Sequence, residues 1–159
     1  MAARKKKAAK KAVKRASKPK KKAAAKRTKR HQPESVRLRA IAAGFTVNDL
    51  QRSVDFYTKV LGMVIKDRWV TDGKLMGVEL KAGNASIYLG QDDWAKGRDR
   101  TKGVGVRLYC TTAQDVDKLA AGIKTRGGAL DHDPQTQPWG SRDFGLTDPD
   151  GFKITIGSM

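Results

Sequence analysis

The sequence predicts an α+β domain made of two βαβββ modules, carried behind a disordered basic tail. Three observations point there. The charge imbalance is confined to the N-terminus, the order strand–helix–strand–strand–strand occurs twice, and the chain closes on a hairpin turned at Asp148-Pro149-Asp150-Gly151. The boundaries fall at 1–34 for the tail and 35–159 for the domain, with modules at 36–90 and 104–157.

The formal net charge is +18, yet residues 1–30 hold 16 Lys and Arg and no acid. The remaining residues carry 18 basic groups against 16 acidic ones, so the domain is close to neutral. The tail repeats Lys and Arg with Ala, broken by Pro19 and Pro33. It has almost nothing apolar to bury and repels itself, so alone it stays disordered. Its composition resembles the Lys/Ala/Pro tails of linker histones and of some bacterial nucleoid proteins. Nucleic acid is the partner that best matches the charge, through Lys5, Lys6, Lys7, Lys10, Lys11, Lys14, Arg15, Lys20, Lys21, Lys22, Lys26, Arg27, Lys29 and Arg30. On the order of ten phosphate contacts would give a log–log salt slope near −9 and no sequence preference. No aromatic residue is interleaved, so bases have nothing to stack on. An anionic membrane surface, a nuclear-import signal and a merely solubilising tail are the competing readings.

In the first module Val36 to Val47 alternates as a strand, with Ile41, Ala43, Phe45 and Val47 on one face. Asn48 or Asp49 caps a helix in which Leu50, Val54, Tyr57 and Leu61 recur at helical spacing, and Gly62 ends it. Strands follow at Met63–Val70, Leu75–Leu80 and Ala85–Leu89, separated by turns at Thr71-Asp72-Gly73-Lys74 and Ala82-Gly83-Asn84. Gly90 to Gly103 is a polar linker containing Trp94. The second module repeats the order. A strand over Val104–Cys110 leads to a helix with Val116, Leu119, Ala120 and Ile123 inward, stopped at Gly127-Gly128. Ala129–His132 is the next strand. In the closing hairpin Phe144 and Leu146 share one face, as do Phe152, Ile154 and Ile156.

Cys110 is the single cysteine, so no intrachain disulfide forms, and it reads as a small buried hydrophobe in a reducing compartment. No apolar run approaches a membrane span, and the N-terminus lacks the apolar core of a secretory signal. The expectation is therefore a cytoplasmic protein, nucleoid-associated through the tail, or nuclear in a eukaryote.

The segment from Phe45 through Asp55-Phe56-Tyr57 to Leu61-Gly62-Met63, together with the closing hairpin, resembles the vicinal oxygen chelate superfamily of glyoxalase I, bleomycin-resistance proteins and extradiol dioxygenases. The resemblance covers residues 36–157 and implies a curled mixed sheet with a concave face. It also implies four metal-ligand positions in the metal-dependent members, filled there by His, Gln or Glu. Carried onto this chain, those positions fall on Ala42, Tyr88, Leu108 or its neighbours Val106 and Arg107, and Thr155. Apart from Tyr88 as a phenolate, none is a competent ligand for a divalent ion. Glu79 lies in the third strand of its module and is the one carboxylate considered for acid–base catalysis. Asp131, His132 and Asp133 resemble a ligand cluster, but adjacent strand residues point to opposite faces.

The expectation is thus a metal-independent small-molecule-binding protein of the glyoxalase/bleomycin-resistance type that uses no cofactor. Phe45, Tyr88, Trp94, Trp139, Arg142 and Phe144 are the candidates to line its cleft. The alternative is a divergent metal-dependent lyase or dioxygenase of the same superfamily. A monomer that closes its own cup and a homodimer that swaps modules are both open at this stage.

Overall fold

The computed structural model describes residues 38–158. The tail with its basic residues, and Val36 of the expected first strand, lie outside the described residues.

The two modules appear as expected. The first contains β1 (Ala43–Val47), α1 (Leu50–Asp55) continued by a π-helical turn (Phe56–Val60), β2 (Val64–Thr71), β3 (Lys74–Ala82) and β4 (Ala85–Gln91). The second contains β5 (Arg107–Thr111), α2 (Val116–Thr125), β6 (Leu130–Thr136), β7 (Arg142–Thr147) and β8 (Lys153–Gly157). Each module forms its own four-stranded mixed sheet, in the orders β1-β4-β3-β2 and β5-β8-β7-β6. Among the described residues, only β1–β4 and β5–β8 pair in parallel. β1 begins at Ala43 rather than Val36, so Ala42 immediately precedes the strand.

Local chemistry sets the element ends. Asp49, not Asn48, caps α1 by accepting the Arg52 amide at 3.0 Å, and Asp115 caps α2 by accepting that of Lys118 at 3.0 Å. Gly62, which follows the π turn, sits at φ +83° and Gly151 in the closing turn at φ +94°, where an L side chain would be strained.

Period-two alternation divides each sheet into a core face and an open face. Phe45, Val47, Val78, Leu80, Ile87 and Leu89 from the first sheet join Phe144, Leu146 and Ile154 from the second. The helical residues Leu50, Val54, Tyr57, Val116, Ala120 and Ile123 complete this one cluster. Phe45 stacks on Phe152 with ring centroids 4.0 Å apart, so the core runs across the module boundary. Polar contacts reinforce that boundary. The Tyr57 hydroxyl donates to Asp148 at 3.0 Å, and the Ser53 hydroxyl and Asn48 amide donate to Asp150 at 3.0 and 2.9 Å. Among the described residues, no helix is long and apolar enough to cross a membrane.

Candidate functional site

Each open face carries a cleft. On the first sheet a cleft of about 460 Å³ is lined by Gly44 and Thr46 of β1, Trp69 of β2, Met76 and Gly77 of β3, and Tyr88 and Gly90 of β4. Phe45 and Leu89 edge it with their side chains turned into the core. Trp69 and Tyr88 face one another with ring centroids 5.8 Å apart. Beside Tyr88, Glu79 accepts from Lys66 Nζ at 2.8 Å. That ammonium holds the Glu79 carboxyl below the usual carboxylate range, so Glu79 is an ionised partner of Lys66 rather than a poised acid.

On the second sheet a cleft of about 540 Å³ is lined by Tyr109, Cys110, Thr111, Asp143, Thr155 and Gly157, with Trp139, Gly140 and Ser141 from the loop before β7. Tyr109 is 79% exposed and Trp139 74% exposed, and the Trp139 indole N–H donates to Ser141 Oγ at 2.7 Å. Asp143 is buried and accepts from Gln137 Nε2 at 2.8 Å. Burial pushes the Cys110 thiol up, away from the thiolate a nucleophile requires.

The structure spreads the expected cleft residues over several places. Tyr88 and Trp139 each line a cleft, but on different sheets. Phe45 and Phe144 are core residues. Arg142 reaches away from both clefts and clamps Asp117 of α2 through two bonds, Nε to Oδ2 at 2.8 Å and Nη2 to Oδ1 at 2.6 Å. Trp94 stays in the linker, with the Arg98 guanidinium 5.0 Å and the Lys102 ammonium 5.4 Å from its ring centre. Asp92 anchors that linker, accepting from Arg100 at 2.6 Å, Lys102 at 2.5 Å and the Trp94 amide at 3.0 Å. Lys102 chiefly lowers the Asp92 carboxyl, to a pKa of about 2.

Sequence reasoning left Trp69 open between core and cleft and missed Met76, Tyr109 and the strand glycines. A glycine recurring inside alternating apolar strands was the available signal for the last of these.

Residues 38–156 match the glyoxalase/bleomycin resistance protein/dioxygenase superfamily. The chain belongs to this superfamily. It is 27% identical to the lactoylglutathione lyase GLX1 of Arabidopsis thaliana over 130 residues, covering 78% of this chain and 45% of that protein. A putative lactoylglutathione lyase of Brassica oleracea matches to the same extent, so the chain spans less than half the length of these curated relatives. Among solved structures, a protein of unknown function from Agrobacterium tumefaciens superposes with TM-score 0.62 at 26% identity, covering 79% of this chain and 97% of that one. TioX from Micromonospora shares the fold, with TM-score 0.60 at 18% identity over 76% of this chain and 95% of that one.

The metal-ligand positions that the resemblance implies can be set against the strand register. Tyr88 of β4 pairs with Gly44 of β1, and Thr155 of β8 pairs with Tyr109 of β5. Ala42 lies two residues before Gly44, and Arg107 lies two residues before Tyr109. Of the three residues left open, Arg107 thus stands in the second module where Ala42 stands in the first, while Leu108 packs against the core. Arg107 Nη1 donates to the Thr155 hydroxyl at 3.0 Å. A methyl group, a phenol, a guanidinium and a hydroxyl make up the donor set. Guanidinium has no lone pair to give and carries the charge of the ion it would have to hold. These residues do not fit the divalent metal of the metal-dependent members.

The Asp131-His132-Asp133 run offers no replacement. Asp131 accepts from Thr147 and Lys153, Asp133 pairs with Lys124, and the His132 ring covers Gly145. No group of three or more His, Cys, Asp or Glu is placed to hold a metal among the described residues.

Proposed function

We propose that this domain is a metal-independent small-molecule-binding protein of the glyoxalase/bleomycin-resistance type. The observation that carries the reading is Arg107 hydrogen-bonded to Thr155, at positions for which the resemblance implies metal ligands. Both open faces keep clefts of about 460 and 540 Å³, within the range of roughly 300–1,000 Å³ typical of small-molecule sites. Exposed aromatic rings and a few fixed polar groups line them, which suits binding by stacking and directed hydrogen bonds. Each cleft is built within one module, so the reading holds for a monomer and for a homodimer alike.

The basic tail extends the reading to nonspecific nucleic-acid association, with the domain held on the polymer by charge. The full chain is then retained on duplex DNA at ~50 mM salt and released as salt rises, whereas a chain beginning at Ser35 passes through. Equal retention of both removes the tail from the account.

For the domain, the test is a melting-temperature screen of the full chain against small metabolites and drugs with EDTA present throughout. A true ligand raises the melting temperature with its concentration and is recovered unchanged. The second reading, a divergent metal-dependent lyase, draws on the likeness to the lactoylglutathione lyases. It predicts isomerisation of the methylglyoxal–glutathione hemithioacetal after loading with Ni²⁺ or Zn²⁺, a result that would displace the binding reading.

A further inference from the structure

The two modules share a register, so their open faces can be compared position by position. Gly44 and Tyr109 are the β-strand partners of Tyr88 and Thr155. Gly77 and Asp143 are the partners of Gly90 and Gly157. The first module therefore carries glycine at two positions where the second carries a tyrosine and an aspartate. With Gly90, three glycines stand on three adjacent strands of the first sheet, all on the open face.

Glycine inside a strand weakens it, and where no turn or bulge requires it, it marks close approach by a ligand or another backbone. The packing of this chain does not require Gly44 or Gly90. A Cβ at either would meet nothing within 4 Å, and neither residue has positive φ. Gly77 differs, because its Cβ would come within 2.9 Å of the Trp69 indole. That ring already rests on bare backbone where a side chain would exclude it. Gly90 is the next position along the same row, which reads Thr46, Gly90, Gly77, Trp69 across β1, β4, β3 and β2. Gly44 lies beside it in the neighbouring row. With ~4.8 Å between strands and ~3.3 Å per residue along them, Gly44 and Gly90 are about 8 Å apart, the span of a fused bicyclic ring. The Trp69–Tyr88 pair closes one side of the space.

We propose that this glycine-floored slot takes a planar aromatic ring system. The ring lies on the Gly44–Gly90 backbone, against the side formed by the Trp69–Tyr88 pair. The inference rests on the small-molecule reading above and specifies its ligand class.

A matched pair of acids tests planarity directly: 2-naphthoate and its saturated counterpart decahydro-2-naphthoate, measured by equilibrium dialysis against the full chain. Both carry one carboxylate, so attraction to the basic tail is common to both. The slot predicts that naphthoate binds about tenfold more tightly than the saturated acid. The Cβ of Gly44→Val or Gly90→Val meets nothing within 4 Å, so each fills the slot and removes that preference while leaving the melting temperature unchanged or higher. Trp69→Leu weakens naphthoate binding as well. Equal binding of the two acids, no naphthoate binding, or an unchanged preference in Gly90→Val overturns the proposal. Should Gly44→Val or Gly90→Val instead convert a dimer to a monomer in sedimentation, the space belongs to a second copy, and the proposal fails by that route. The EDTA-treated melting screen still judges the small-molecule reading by itself in each of these cases.

Discussion

Replacing Tyr57 with Phe removes one hydroxyl and nothing else, at the point where the two modules are joined. The ring is fully buried, and its hydroxyl donates at 3.0 Å to Oδ2 of Asp148, itself 4% exposed. Oδ1 of Asp148 is already engaged, accepting the Phe152 amide at 2.8 Å and the Asp150 amide at 2.9 Å. Without the hydroxyl, Oδ2 is left buried and charged with no donor. Hydrogen bonds to charged groups are worth about 1.5–3 kcal/mol, and Phe fills the same space with no cavity to add. For a domain of this size about 4 °C of melting temperature accompanies each kcal/mol, so Tyr57→Phe lowers the midpoint by roughly 6–12 °C at neutral pH. The loss depends on pH. Burial raises the Asp148 pKa, so the folded protein holds that proton more tightly than the unfolded chain. The cost of its charge is absent below the unfolded value near 3.9 and complete above the folded one. The difference between wild type and Tyr57→Phe therefore shrinks as pH falls and Asp148 becomes neutral. Thermal unfolding followed by circular dichroism across pH 4–8 reads both effects. A difference below about 0.5 kcal/mol, or one that does not change with pH, would refute the account of this junction.

Other substitutions separate structural residues from cleft residues. Asp92→Asn loosens the linker. Because the Asp92 pKa is lowered to about 2, its stabilisation is present above the unfolded value near 3.9 and is lost as pH falls toward 2. Acid unfolding of wild type should show a slope in that window that Asp92→Asn lacks. Arg142→Ala breaks an exposed ion pair to α2 and lowers the urea midpoint only slightly, while any ligand found by the melting screen binds unchanged. Gly77→Ala forces the Trp69 ring off its seat and costs about 1–3 kcal/mol, whereas Gly90→Ala is neutral or stabilising by up to about 1 kcal/mol.

Alternation made the fold legible. Phe45 is in phase with Val47, and Phe144 with Leu146, so the same pattern that revealed the strands also marked both aromatic rings as core. Their aromatic character had suggested a cleft wall, and phase decided otherwise. The fate of Arg142 was not legible, because its partner Asp117 is 25 residues away on α2 and only the tertiary fold brings them together. Trp94 was held back by cations of its own linker, a local arrangement that spacing alone does not announce. The third metal-ligand position could be fixed only to within a residue from sequence. Pairing of Tyr109 with Thr155 shows which of the three, Arg107, corresponds to Ala42 of the first module. Glycine was read chiefly as punctuation at turns, and its place on the open faces of three strands became visible only once β1, β4 and β3 were side by side.

The central claim is that the Ala42, Tyr88, Arg107 and Thr155 positions hold no divalent metal and that binding proceeds without one. Equilibrium dialysis of the purified full chain against micromolar Ni²⁺ and Zn²⁺, with metal counted per chain, tests it most directly. The account predicts that bound metal stays well below one ion per chain for both. One tightly held ion per chain, lost when Thr155 is replaced by Ala, would contradict it.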